Sequence, residues 1–309
     1  MMDDQTNTAS YRSGFVVIAG KPNVGKSTLI NSLLDQKIAA VSFRPQTTRK
    51  RQLGILTTDT SQIIFIDTPG LHQPDYKLSQ FINAEAYGSI HDADVIILLV
   101  DASQRPDTQD VDLAGKLNKM EHAAPVILVL NKWDKVPKAE QDTRADEYLQ
   151  LSPAANILKI SALHGTNLDE LIALLEELLP EGPQLYPPDQ VTDQQEREIA
   201  ADLIRSACLV FLKDEIPHAI AVKVDEFLER DETNAYILAT IFVERESHKG
   251  IVIGKNGAML KQIGTLARQE IEQMSGRSVF LELKVKVAPN WRNDKGMLAR
   301  LGYNPDGMN

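Results

Sequence analysis

Residues 20–27 read Gly20-Lys21-Pro22-Asn23-Val24-Gly25-Lys26-Ser27, directly after the apolar run 15–19 and at the start of a helical pattern. Two glycines separated by four residues and followed by Lys-Ser form a loop whose backbone N–H groups can wrap phosphate oxygens, helped by the positive end of the helix behind it. Lys26 places a point charge on the outer phosphates, and Ser27 offers a hydroxyl to Mg²⁺. Asn23, Val24, Gly25 and Thr28 complete the expected contact set. Strand, phosphate loop and helix in that order open an α/β sheet.

Working outward, short Val/Ile-rich runs recur at 63–66, 95–100, 126–130 and 157–160. They are nearly continuous rather than alternating, as expected of strands buried on both faces. Segments 78–91 and 109–119 are long enough for crossover helices, so the first 180 residues predict a mostly parallel sheet covered on both sides. Residues 168–179 (LDELIALLEELL) read as a closing amphipathic helix, capped by Thr166 or Asn167 and stopped by Pro180 and Gly182. Four prolines in 180–193 mark a linker, giving domains at 1–180 and 194–309 with 181–193 between them. The second domain predicts a helix (194–212), two strands (219–229, 235–244), a glycine-bearing turn, a long helix to Met274 and a last strand, 278–287.

Two domains suit a 309-residue chain. Cys208 is the sole cysteine and falls in an apolar helical pattern, so a disulfide framework or cysteine metal cluster is excluded and a small buried core residue is expected. The acidic start Met1-Met2-Asp3-Asp4 is unlike a secretory or transit peptide, and no apolar run approaches the roughly 20 residues of a membrane helix. A cytosolic protein, at most peripheral to a membrane, is expected. The net charge is −10, but residues 235–309 carry 11 Lys and Arg against 7 Asp and Glu, a net +4, so the remainder carries −14. That asymmetry fits an acidic domain joined to a nucleic-acid module.

Three further motifs fall at strand ends. The run 63–66 delivers Asp67-Thr68-Pro69-Gly70, where Asp67 can hold Mg²⁺ through water and the Gly70 N–H can sense a terminal phosphate. The run 126–130 delivers Asn131-Lys132-Trp133-Asp134. A carboxylate there accepts hydrogen bonds from guanine N1–H and the 2-amino group, donors that adenine lacks. Ser161-Ala162-Leu163 follows the last run, where its backbone can touch guanine O6.

The set resembles the motifs of translation-factor-type small GTPases. The resemblance implies GTP/GDP and Mg²⁺ as ligands, catalytic roles for Lys26 and Gly70, and a switch threonine within Pro45-Gln46-Thr47-Thr48-Arg49, Thr48 being preferred over Thr47 as Mg²⁺ ligand. Leu71 stands where Ras-like proteins carry a catalytic glutamine, and an apolar side chain cannot orient water. Asn23 matches an asparagine that in potassium-activated relatives helps hold K⁺ beside the phosphates; its alternative is a plain turn residue.

In the second domain Gly254-Lys255-Asn256-Gly257 carries the Gly-x-x-Gly of KH modules, in which small residues allow close approach of a nucleic-acid backbone. Lys284, Lys286, Trp291 and Arg292 add basic charge and an aromatic ring that either stacks on a base or packs back onto the domain. The element order is similar to a type II KH domain, an α+β fold. A P-loop GTPase domain, a Pro-Gln-Thr-Thr-Arg switch and a C-terminal KH domain together resemble the Era family of bacterial GTPases over almost the whole chain. The resemblance implies binding of the 3′ end of small-subunit ribosomal RNA during maturation of the 30S subunit, as a monomer with loose membrane association. The rival reading is an RNA-binding scaffold that keeps GTP as a structural ligand.

Overall fold

The computed structural model describes residues 10–40, 49, 51–67, 78, 88–119, 124–151 and 156–303. Thr47, Thr48, Gly70 and Leu71 lie outside the described residues. The first sheet contains β1 (Arg12–Ala19), β2 (Gln52–Thr57), β3 (Ser61–Asp67), β4 (Val95–Asp101), β5 (Val126–Asn131) and β6 (Asn156–Lys159), in the order β2-β3-β1-β4-β5-β6. All pairings are parallel except β2 with β3, an antiparallel edge that the sequence reading missed. Helices α1 (Lys26–Leu34), α2 (Thr108–Lys119), α3 (Gln141–Leu149) and α4 (Leu168–Leu178) cover it.

The continuous apolar runs follow from this layering. Ile18, Phe65 and Leu99 pack with α1 and α4 on one face, while Val17, Ile64 and Leu98 pack with α2 and α3 on the other. Successive strand residues point to opposite faces, and both faces here are dry. Truncating Phe65, which has no exposed surface, would cost about 3–5 kcal/mol. Asn167 stands at the start of α4, but its side chain donates to the Lys159 carbonyl instead of capping the helix.

The 180–193 segment is fastened along the first domain. Ser13 N–H donates to Pro180 O, Gln62 Oε1 accepts from the amides of Leu185 and Tyr186, and Ile55 N–H donates to Val191 O. Prolines remove donors here, and neighbouring strands supply bonds for the amides that remain.

The second sheet has the order β7-β8-β9, from β7 (Ala221–Glu229), β8 (Asn234–Val243) and β9 (Ser278–Val287). α5 (Glu196–Phe211) begins with a reciprocal cap between Gln195 and Glu198 and, with α7 (Ala258–Ser275), packs on one sheet face around Ile237, Ala239 and Ile241. Cys208 is fully buried there and burial pushes its thiol up to about 12, so it is the inert core residue expected. An additional helix, α6 (Glu246–Ile253), occupies the residues before Gly254. A short turn, Trp291–Asn293, and α8 (Lys295–Arg300) fold back on the opposite face.

Candidate functional site

The parallel register brings the motifs to one sheet edge. Asp67 is paired with Ile18, two residues before the phosphate loop, and Asp101 with Asn131, at the neighbouring strand ends. β1 lies between β3 and β4, so the chain departs in opposite directions across the sheet from this strand, which is where open α/β sheets bind ligands.

The phosphate loop is set by contacts on its inner side. Gly25 adopts φ +106°, and a Cβ there would stand 2.4 Å from Asn131 Nδ2, so no other residue fits. Asn131 is buried; its Nδ2 donates to Val24 O at 2.7 Å and its Oδ1 accepts from the Ala162 N–H at 2.9 Å. Ser32 Oγ donates to Ala162 O at 2.6 Å. One amide side chain thus joins the phosphate loop to the 161–163 loop. The Ala162 amide is directed to Asn131 because that buried acceptor needs a donor. Leu163 remains exposed beside it.

Lys26 is buried, and its ammonium donates to two backbone carbonyls, Gly20 O at 2.9 Å and Lys21 O at 3.1 Å. Burial pulls its pKa down to about 8 against the opposing pull of Asp67. A buried cation held by neutral dipoles is a site made for an anion. Ser27 Oγ donates to Asp67 Oδ2 at 2.8 Å, and Asp67 is fully buried. This hydroxyl–carboxylate pair at the helix start has the hard oxygen donors that Mg²⁺ takes. Both observations fit a magnesium–nucleotide ligand.

Lys132 reaches back across the loop: its ammonium meets Asn23 O at 2.8 Å and Asp101 Oδ2 at 2.6 Å. Asn23 itself has φ +66°. Asp134 is exposed, 3.7 Å from His164 Nε2, and its neighbour Trp133 lies under the Lys159 ammonium at 4.8 Å. Sequence reasoning missed two supports, Asp101 and the Asp107/Asp110 pair that grips Lys21 at 2.8 and 2.7 Å. Burial opposes charge on Lys21, but the two carboxylates prevail and raise its pKa. Their signal was faint: Asp101 merely ends an apolar run.

In the second domain the Gly254–Gly257 turn joins α6 to α7. Gly257 has φ +76°, and a Cβ at this position would meet nothing within 4 Å, so the loop's outer side is open to a close-approaching backbone. Lys255 and Asn256 sit on that turn, Asn256 with φ +52°. Beside it runs a groove of about 470 Å³ lined by Leu260, Lys261, Thr265 and Arg268 from α7 and by Leu281 and Leu283 from β9. The sequence reading missed this groove, although Gly257, Lys261, Gly264 and Arg268 recur at helical spacing.

None of the four tail candidates lines the groove, and Trp291 takes the second of the two places expected for it. Strand alternation puts Lys284 and Lys286 on the sheet face opposite Leu281 and Leu283. Trp291 has no exposed surface, and its Nε1 donates to Ala219 O at 2.9 Å, so it packs back and offers no ring to a base. Arg292 is paired with Glu244 at 2.6 Å. Trp291 also lies 5.9 Å from the guanidinium of Arg49, which donates to Ile220 O and His218 O across the two domains. Desolvation lowers the Arg49 pKa to about 10, with Arg205 adding to the effect.

Comparison with known proteins agrees with both halves. Residues 15–132 match the family of 50S ribosome-binding GTPases and residues 215–292 match the KH domain family. GTPase Era of Ruminiclostridium cellulolyticum is 46% identical over 95% of this chain and 98% of its own length; that of Halothermothrix orenii is 44% identical over 95% and 99%. A crystal structure of Era with MgGDPNP and nucleotides 1506–1542 of 16S ribosomal RNA has a TM-score of 0.88 and 40% identity over 95% of this chain and 99% of that one. A tyrosine-to-alanine variant of Aquifex aeolicus Era bound to GDP and AlF4⁻ gives 0.88 and 41% over the same shares. No helix among the described residues is long and apolar enough to cross a membrane. With a GTPase sheet, a KH module and this degree of identity along nearly its full length, the chain belongs to the Era family of GTPases.

Proposed function

We propose that this GTPase uses its nucleotide cycle to control binding of the 3′ end of small-subunit ribosomal RNA during 30S maturation. The observation that carries the reading is the presence on one chain of a buried, anion-ready Lys26 site and an open Gly254–Gly257 loop with an adjoining groove. The Era complex with MgGDPNP and a 16S fragment supports the same pairing of ligands.

In the reading, Lys26 and the amides of residues 23–28 hold the phosphates, and Ser27 and Asp67 would hold Mg²⁺. Bound Mg²⁺ supplies neutralising charge to the phosphate oxygens. Asp134 accepts from guanine, Asn131 keeps the two loops in place, and Lys132 braces Asn23. Thr48 and Gly70 are proposed to sense the terminal phosphate. With Leu71 in the glutamine position, Asn23 would help hold K⁺, which would supply positive charge beside the phosphates, so K⁺ is expected to exceed Na⁺ in supporting turnover. The chain acts as a monomer in the cytosol, touching the membrane only peripherally.

Single-turnover hydrolysis with and without a 16S 3′-end oligonucleotide tests the proposal. The expected result is RNA-stimulated hydrolysis that requires Gly254 and Gly257. RNA binding that neither depends on nucleotide nor alters hydrolysis would leave the scaffold reading in its place.

A further inference from the structure

The second sheet has an outer face that the GTP site and the groove do not use. Leu228, Tyr236 and Phe280 are register partners across β7, β8 and β9, a row spanning all three strands. Leu228 is 53% exposed and Phe280 63%. The Tyr236 and Phe280 rings stack with centroids 5.9 Å apart and planes inclined by 19°, and the Arg230 guanidinium lies 5.4 Å over Tyr236. Farther along the same face, Phe242 and Ala221 are covered by Trp291, Leu298 and Tyr303. The cover ends short of the aromatic row. An apolar row held in solvent beside a closed core marks a contact surface.

Its chemistry points to nucleic acid. Lys284 and Lys286 follow Phe280 on this face of β9, about 13 and 20 Å along the strand, with Glu282 between. With Lys223 and Arg230 the cations outnumber the carboxylates, of which Glu282 is already engaged by the Tyr236 hydroxyl at 3.0 Å and by Lys284 at 3.6 Å. Asp225, which accepts from Thr240 at 2.6 Å, and Glu226 keep their charge, so the face carries a small positive excess. Flat rings accept any base by stacking while neighbouring cations meet the backbone. Position agrees with chemistry: β9 is the sheet edge, and Leu281, the next residue after Phe280, lines the groove on its other side. A KH loop clamps about four nucleotides, so a longer strand needs a further seat, and only one strand edge separates the two.

We propose that Leu228, Tyr236 and Phe280 form a base-stacking platform for single-stranded RNA continuing beyond the Gly-x-x-Gly groove. The proposal rests on the RNA reading above. Fluorescence anisotropy on the full chain, with oligonucleotides of about four and about twelve nucleotides, separates the two. Phe280→Ala is expected to weaken the longer one roughly 5- to 100-fold and leave the shorter unchanged, with Phe280→Trp restoring affinity. Unaltered affinity of Phe280→Ala for the longer oligonucleotide overturns the platform while the RNA reading stands. Failure of wild type to bind either oligonucleotide sinks the reading itself. A change in sedimentation of the RNA-free protein on Phe280→Ala would assign the row to a second copy of the chain and also overturn the platform. Should that variant not fold, photocrosslinking of wild type to an iodouracil-bearing oligonucleotide decides: adducts at Tyr236 or Phe280 support the platform, and adducts confined to α7 refute it.

Discussion

The GTP pocket and the KH groove are built on opposite principles. In the pocket the decisive groups are withdrawn from water before any ligand arrives: Lys26, Asp67 and Asn131 are all buried, and each is held by short hydrogen bonds. In the groove the decisive groups, Lys261 and Arg268 with the Gly254–Gly257 turn, stand at the surface. Buried polar groups bind strongly and discriminate sharply, because a mismatched ligand leaves them unsatisfied. Exposed cations are screened, so they give graded affinity and little base selectivity. A switch needs the first kind at its nucleotide and the second at a partner it must release.

The sharpest break in this contrast comes from Asp134. Asp134→Asn replaces an acceptor by a donor at the proposed guanine contact. GTP affinity should fall by about three orders of magnitude and xanthosine triphosphate should bind in its place. Competition binding with the two nucleotides measures it, and unchanged GTP affinity would remove Asp134 from the pocket.

Lys26 comes next. Lys26→Met should slow GTP hydrolysis about 10²- to 10³-fold in single-turnover assays. The same substitution exposes the cost of burying the charge. The folded-state pKa of about 8 lies below the unfolded 10.5. Below pH 8 both states are protonated and the penalty is fully present. Between 8 and 10.5 the folded state loses its proton first, so stability rises with pH by up to about 3 kcal/mol relative to the Met variant. Denaturant titrations of both proteins without nucleotide, across that range, should diverge; parallel curves would mean that Lys26 is solvated in the free protein.

Asn131→Ala tests whether one side chain joins the two loops. It strands the Val24 carbonyl and the Ala162 amide, at a cost of about 1–3 kcal/mol. GTP affinity should fall with stability, since both loops are held by the same residue. Loss of stability with intact affinity would show that the loops are fixed independently.

The two regions also differed in how much of them could be read from sequence. The pocket was legible because its chemistry requires particular side chains at fixed spacing after each buried strand. The edge strand β2 was not: Gln52–Thr57 pairs only with β3 and includes Gly54, against which Ile30 and Leu34 pack. α6 escaped because Gly250-Ile251-Val252-Ile253 has strand-like composition, and burial of Val252 and His248 overrides that preference. Lys284 and Lys286 were assigned by charge alone, although the alternation that sends Leu281 and Leu283 to the groove sends both lysines to the other face. Arg49 lay beyond any sequence signal, since its bonds to Ile220 and His218 depend on how the domains meet.

The smallest effects belong to the groove cations, and they finish the comparison. Lys261 and Arg268 line the groove one helical stretch apart, both exposed. If each meets one phosphate, Lys261→Ala and Arg268→Ala should lower affinity only a few-fold, evenly over different sequences. The slope of log affinity against log salt should become shallower by about 0.7 for each, the single-strand value. On a four-nucleotide probe, Lys284→Ala and Lys286→Ala should leave both affinity and slope unchanged, because the sheet stands between them and the groove. A salt series on all four variants gives the answer in one experiment. A steep, sequence-dependent loss at Lys261 or Arg268 would mean that the groove reads base edges through desolvated contacts. In that event its energetics would match those of the GTP pocket, and the division between withdrawn and exposed charge would no longer separate the two sites.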